Sequence, residues 1–202
     1  MPVRRVLFLA AAALLLPGCI AFSNLSPSDT KVSNFEAIVV MGVDPRYRVG
    51  IGKGTSSGDG LWTYEASVLD ANVFPEDGYV VLKLPARNGG ESYGLVQILP
   101  GGIGGAVPRY SPCGGRTVPV FEAPPGDVVY VGDLRFTDAG GALQMGYDHN
   151  FPKAVDVLRK TYPALVEQIR AADITFPRTS NMPCRSQSTS VPMIITVPAP
   201  RR

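Results

Sequence analysis

Short segments in which apolar and polar residues alternate recur along this 202-residue chain and constrain its fold more than any other feature. In the segment 61–69, Trp62 and Tyr64 fall on one face, whereas Thr63 and Glu65 fall on the other. This period of two is typical of a half-buried β-strand. Turn-forming residues separate the segments, since the chain contains 22 glycines and 19 prolines. The pattern predicts a mostly β fold, namely an antiparallel β-sandwich.

The predicted strands share this alternation, except that the first is a continuous apolar run, as in a strand buried on both faces. They span residues 37–43, 47–52, 61–69, 79–84, 93–99, 117–122, 128–136, 142–148 and 193–197. We expect the first two to pair across Asp44-Pro45, and the three between residues 117 and 148 to form a meander. Proline and glycine in Pro124-Pro125-Gly126-Asp127 suit a type II turn between two of these strands.

One segment, at about 152–172, departs from the β pattern because its apolar residues recur at helical spacing. Asn150 is suited to cap the N-terminus of a helix, and Pro152 is tolerated in the first helical turn. Pro163 lacks a backbone N–H group and should end or kink the helix. The segment therefore predicts a kinked helix or a helix pair packed on the sandwich.

The charge balance limits the classes of partner. The chain has 19 basic and 17 acidic residues, and apart from the terminal Arg201-Arg202 it has no basic run. Proteins that bind nucleic acid need a positive surface, so we expect no nucleic-acid partner. The glycine-rich run 50–55 also lacks the spacing of a phosphate-binding P-loop, and we expect no nucleotide and no cofactor.

The first 18 residues have the layout of a secretory signal peptide. Arg4 and Arg5 precede the apolar run 6–16, whose eleven residues are too few for a membrane-spanning helix, which needs about 20. A positive start, a short apolar stretch and a small residue at the cut, here Gly18, are the three parts of such a signal. Removal of residues 1–18 would leave 17 basic residues against 17 acidic ones, so the mature chain would be near neutral.

The sequence Leu16-Pro17-Gly18-Cys19 resembles the lipobox of bacterial lipoproteins. The resemblance implies cleavage between Gly18 and Cys19, with fatty chains such as palmitate on Cys19. More than one acyl chain anchors a protein stably to a bilayer, so membrane lipid is the implied partner. Ile20 stands where an aspartate would retain an enteric lipoprotein in the inner membrane. The resemblance therefore implies the outer membrane, with the protein facing the periplasm.

A fainter resemblance covers the segment 124–170, which has a Pro-Gly turn, a tyrosine-containing strand and a later helix with a Tyr-Pro step. It is similar in these features to uncharacterised proteobacterial envelope lipoproteins, and it implies no known activity. The expected organisation has four parts. These are a signal peptide (1–18), a lipidated cysteine with a flexible tether (19–34), a β-sandwich domain (35–198) and a tail (199–202).

The two remaining cysteines, Cys113 and Cys184, would lie in an oxidising compartment, where disulfides form and persist. We predict one bridge between them. It would close a loop of about 70 residues and stabilise the fold by at most about 4 kcal/mol in the chain-entropy description. The alternative is two free thiols that are too far apart to join.

The chain contains the residue spacing of a catalytic motif but lacks the secondary structure that the motif requires. Gly54-Thr55-Ser56-Ser57-Gly58 has the spacing of a nucleophile elbow, which requires a strand before it and a helix after it. A strand pattern follows instead, and this favours a hairpin loop. Because His149 is the only histidine, a serine hydrolase would have to combine Ser56 with His149.

Carboxylates offer a second catalytic alternative, since a glycosidase pair needs no fixed spacing in sequence. Asp127, Asp133 and Asp138 are dispersed around strands and turns, where we expect them at the solvated surface or capping turns. A zinc site draws on several histidine or cysteine ligands, so we expect no metal.

These features favour a lipid-anchored envelope protein without catalytic activity, which binds a partner or assists assembly. Two alternatives stay open. One is a periplasmic hydrolase that uses Ser56 and His149 or a carboxylate pair. The other is a carrier with an apolar ligand pocket between the sheets.

Overall fold

A computed structural model describes residues 23–66, 70–87, 89–100, 110–139, 142–182 and 193–196. Within these residues the chain is mostly β, as predicted, with two sheets and one α-helix. The elements are β1 (Glu36–Asp44), β2 (Arg48–Ser56), β3 (Leu61–Tyr64), β4 (Ala71–Val73), β5 (Tyr79–Pro85), β6 (Glu91–Leu99), β7 (Val120–Ala123), β8 (Val128–Ala139), β9 (Ala142–Asp148), α1 (Phe151–Thr161), a 3-10 turn (Pro163–Leu165), β10 (Ile169–Ala171), β11 (Ile174–Thr175), β12 (Arg178–Thr179) and β13 (Met193–Thr196).

Both sheets are mixed, so the prediction of purely antiparallel sheets is wrong. The first sheet has the order β13–β9–β8–β1–β5, with β10 beside β8, and the second has the order β11–β7–β6–β2–β3–β12, with β4 beside β2. The parallel pairs are β1 with β8, β8 with β10, β9 with β13, and β3 with β12. After β5 the chain crosses to the second sheet, where it forms β6 and β7. It then returns to the first sheet as β8, which runs parallel to β1.

The same crossings overturn two predicted pairings. β2 does not pair with β1, because it lies in the second sheet between β6 and β3. β7 also belongs to the second sheet, so only β8 and β9 of the expected meander form an antiparallel pair.

One apolar core contains side chains from both sheets. Val39 and Met41 of the first sheet belong to it together with Ile51 and Leu95 of the second, and each is at most 1% exposed. The alternate residues of β1 point the other way, into a second core beneath α1. β1 is therefore buried on both faces, as its continuous apolar sequence predicts.

The helical segment is shorter than predicted. α1 begins at Phe151, and the Asn150 side chain caps it by accepting a hydrogen bond from the Lys153 N–H at 3.2 Å. The helix ends before Pro163, where only one 3-10 turn follows. β10 replaces the expected second helix because Ile169–Ala171 pairs with β8.

The segment predicted as a free tether is bound to the fold in its described part. The Leu25 N–H donates to the Val81 carbonyl at 2.6 Å, and the Leu25 carbonyl accepts a hydrogen bond from the Tyr162 hydroxyl at 2.6 Å. The Asn24 side chain accepts from the Val81 N–H at 3.0 Å, and Asp29 pairs with Lys83 at 2.6 Å. Leu25 is buried, so its apolar side chain helps to hold the segment along β5.

Candidate functional site

The residues predicted for lipidation and cleavage, Cys19 and Gly18, lie outside the described residues, as does Cys184. Cys113 is described and is 6% exposed. Next to it, the Gly114 N–H donates to the Met182 carbonyl at 2.8 Å. The Thr179 hydroxyl donates to the Pro112 carbonyl at 2.7 Å. Thr179 and Met182 therefore lie beside the chain on either side of Cys113.

Ser56 and His149, the predicted alternative hydrolase pair, lie on different sheets. Ser56 ends β2 in the second sheet, where its hydroxyl is 3.3 Å from that of Ser92. His149 follows β9 of the first sheet, and its ring packs edge-on against Tyr130 with 4.9 Å between ring centroids. The two side chains thus have separate local partners, and the fold does not bring them together.

A bulge in β8 creates the most distinctive polar site of the described chain. Val40 of β1 pairs with Tyr130 and Gly42 pairs with Asp133, so β8 carries one extra residue between these pairs. Gly132 lies in this extra stretch with φ +104°, a conformation that favours glycine. The extra residue reverses the side-chain alternation after it. Asp133 therefore leaves the face of the shared core and joins the face that carries Tyr130.

Asp133 lines a pocket with a volume of about 320 Å³. Three carboxylates, three basic side chains and the Tyr79 ring contribute to its walls. The lining residues are Gly42, Val43, Asp44, Arg46, Asp77, Gly78, Tyr79, Asp133, Leu134, Arg135 and Lys153. The pocket lies where β1, β5, β8 and the start of α1 meet. It is separate from the apolar core to which both sheets contribute side chains.

The Asp133 side chain is 7% exposed and forms no ion pair with a described residue, and its hydrogen-bonding neighbours are the hydroxyls of Tyr79 and Tyr130. Its carboxylate lies against the backbone of Gly42, where an alanine Cβ would overlap Oδ1. The expectation of a solvated Asp133 is thus wrong. Burial of a charge is unfavourable unless an opposite charge pairs with it, and no described cation forms an ion pair with this carboxylate, so it can accept a cationic donor from the pocket.

Two tyrosine hydroxyls lie near this carboxylate. Burial, and secondarily the negative charge of Asp133, raise the pKa of Tyr79 well above its usual value. The same two causes raise the pKa of Tyr130, whose hydroxyl accepts a hydrogen bond from the Asn150 N–H at 3.0 Å. The Tyr79 hydroxyl is buried and faces the Asp133 carboxylate. Both hydroxyls therefore stay protonated at neutral pH.

Three basic side chains line the pocket beside its carboxylates. Arg46 donates twice to the Pro75 carbonyl, at 2.9 and 3.0 Å, and its guanidinium lies 5.3 Å from the centroid of the Phe74 ring. Lys153, in the first turn of α1, forms no ion pair with a described residue. Arg135 is paired with Asp148 at 3.1 Å. The pocket thus combines a buried carboxylate with two cations that have no carboxylate partner in the described chain.

No group of three or more histidine, cysteine, aspartate or glutamate side chains in the described ranges could hold a metal ion. Within the same ranges, no helix has the length and apolar character needed to cross a bilayer. Comparison with protein-family models, curated proteins and solved structures finds no match for this chain.

Proposed function

We propose that this chain is a lipid-anchored protein of the bacterial cell envelope, with a non-catalytic binding or assembly role at the periplasmic face of the outer membrane. The supporting observation is the short spacing between Cys19 and the first bound residue of the fold. Asn24 and Leu25 are hydrogen-bonded to β5, and Asn24 follows Cys19 by five residues. Five residues span at most about 18 Å, so a lipid on Cys19 would hold the domain against the bilayer.

The folded part is proposed to be a β-sandwich. Residues of both sheets belong to the same buried core, as expected when two sheets pack face to face. α1 covers the other face of the first sheet through Ala154 and Leu158, which are both fully buried.

Replacement of Cys19 with alanine should release the protein from the membrane fraction without unfolding it. The thiol is the proposed attachment atom, and at least two acyl chains are needed for stable anchoring. Mass spectrometry of the membrane fraction should find the acyl groups on an N-terminal Cys19 in the native protein and none in the variant. The matched control, Cys113→Ala, should stay in the membrane fraction. A native protein without acyl groups, or a Cys19→Ala variant that stays bound to the membrane, would contradict the proposal.

We also propose a disulfide between Cys113 and Cys184. Gly114 binds the carbonyl of Met182, and two residues beyond Met182 the chain can have moved by at most about 7 Å. This is compatible with the Cα separation of about 4.4–6.8 Å that a disulfide requires.

Removal of this bridge by Cys113→Ala should lower the free energy of unfolding by about 2–4 kcal/mol, because the unfolded chain gains freedom. Urea unfolding would measure the loss, and reductant should reduce the stability of the native protein to that of the variant. Two titratable thiols in the denatured, unreduced protein would show that the bridge does not exist.

A further inference from the structure

The geometry points to the pocket around Asp133 as a binding site for a zwitterion with a primary ammonium and a phosphate, presented as a phospholipid headgroup by the bilayer. This inference deepens the proposed function and rests on it for the source of the ligand. The chemistry is that of an ethanolamine headgroup.

The first step concerns the ammonium. Asp133 is a more than nine-tenths buried carboxylate that lines the pocket, and its hydrogen-bonding neighbours, the Tyr79 and Tyr130 hydroxyls, are neutral donors that do not balance its charge. An ammonium in the pocket would supply charge-assisted N–H donors to this oxygen pair. Asp44 and Asp77 add two further carboxylates to the lining. A primary ammonium fits this need better than a quaternary one, because only the primary group donates hydrogen bonds.

The second step concerns the phosphate. Lys153 and Arg46 line the same pocket and have no carboxylate partner in the described chain. Arg46 is fixed by its two hydrogen bonds to Pro75, so its charge is held at the pocket at little further entropic cost. Both lysine and arginine bind phosphate oxygens. Both signs of charge therefore line one pocket, as a zwitterionic ligand requires.

The third step concerns size. A volume of about 320 Å³ lies at the lower end of the range of about 300–1,000 Å³ for small-molecule sites. It suits a headgroup rather than an entire lipid. The acyl chains of the ligand would then remain in the bilayer.

The fourth step concerns position. Asn24 donates its side-chain amide to the Phe74 carbonyl at 2.7 Å, and the Phe74 ring lies beneath the guanidinium of Arg46. The chain thus enters the fold, five residues after Cys19, beside the loop that leads to Asp77 and the pocket. Phe74 is one of the two large apolar side chains exposed in the described chain, at 39%. An anchor on Cys19 would therefore bring the pocket, with an exposed aromatic ring, to the headgroup layer.

The test is a calorimetric titration of the purified mature protein, in non-ionic detergent, with glycerophosphoethanolamine. Binding should be saturable, whereas glycerophosphocholine and glycerophosphoglycerol should bind about tenfold more weakly or not at all, because neither supplies ammonium N–H donors. Equal binding of all three compounds, or binding of none, would overturn the proposal. Since these ligands are soluble, the result does not depend on whether Cys19 is lipidated.

Two variants assign the site. Asp133→Asn keeps the shape of the side chain and should weaken binding about tenfold or more, because it removes a charge-assisted hydrogen bond. Lys153→Gln should weaken binding about threefold, as for a solvent-exposed charge pair. The controls are Glu167→Gln and Lys160→Gln, which alter exposed charges outside the pocket and should bind as the native protein does. Unchanged binding in both pocket variants would place the ligand elsewhere and overturn the assignment.

Vesicles distinguish a membrane source from a soluble one. The protein is reconstituted into vesicles of phosphatidylglycerol with either phosphatidylethanolamine or phosphatidylcholine, and the soluble ligand is titrated again. Ethanolamine lipid should occupy the pocket and suppress the soluble binding about tenfold relative to choline lipid, by competition. Equal soluble binding in the two kinds of vesicle would show that the pocket does not take its ligand from the bilayer.

Discussion

Replacement of Gly132 with alanine should lower the free energy of unfolding by about 3 kcal/mol or more. Two effects add at this position. The backbone has φ +104°, a region that is costly for any residue with a Cβ. The new Cβ would also overlap Cε2 of Tyr147 and stand 2.8 Å from Cζ of the same ring. Tyr147 packs edge-on against Phe176, so the ring has little room to yield.

Urea unfolding measured by circular dichroism would test this expectation, with Gly146→Ala as the matched control. Gly146 lies on the neighbouring strand β9, and a Cβ there would meet nothing closer than 3.9 Å. The control should change the free energy of unfolding by less than about 1 kcal/mol. Equal effects of the two substitutions would contradict the role of the bulge.

Replacement of Trp62 with alanine should cost about 3–5 kcal/mol of unfolding free energy, as for other large buried aromatic residues. Trp62 is fully buried, and its indole N–H donates to the Ser92 hydroxyl at 3.1 Å. Its ring lies on the backbones of Gly54 and Gly94, where no Cβ would fit. Alanine would therefore leave a cavity above two glycines that have no side chain with which to fill it.

Because Trp62 is the only tryptophan, the unfolding of this variant must be measured by circular dichroism rather than by tryptophan fluorescence. Trp62→Phe separates the two contributions, since it keeps most of the ring and removes the N–H donor. It should cost less than the alanine variant, with about 1 kcal/mol attributable to the hydrogen bond. A loss below about 1 kcal/mol for Trp62→Ala would show that this cluster contributes little to stability.

The sequence predicted local structure correctly where residues adjacent in the chain determine the backbone conformation. Gly126 has φ +81°, and the Asp127 N–H donates to the Pro124 carbonyl at 3.3 Å, as the predicted type II turn requires. The cap of α1 at Asn150 is likewise confirmed. In both cases the residues that decide the conformation are adjacent in sequence, so no distant contact is needed to predict it.

The sequence did not predict which strands belong to which sheet, because alternation identifies the buried face of a strand but not its partner strand. β1 and β2 are joined by a short connection, yet they belong to different sheets. The segment after Pro163 has helical spacing, yet Ile169–Ala171 pairs with β8. There, pairing with a distant strand overrides local preference.

The candidate site depended on a single backbone feature. From alternation alone, Asp133 lies on the same face as Val129 and Val131, which the structure places in the shared core. The bulge reverses that order, and its only sequence signal is Gly132, a glycine within a strand. A glycine of this kind indicates where the period of two can fail, but it does not indicate the direction in which the next side chain will point.

The segment bound along β5 has one more consequence. β5 is the last strand of the first sheet on its side, and an uncovered outer strand is a template for pairing with another molecule. Asn24 and Leu25 occupy both the N–H and the carbonyl of Val81, so the chain shields that position with its own residues. Copies of the chain could otherwise pair through this strand, and the cover opposes such aggregation.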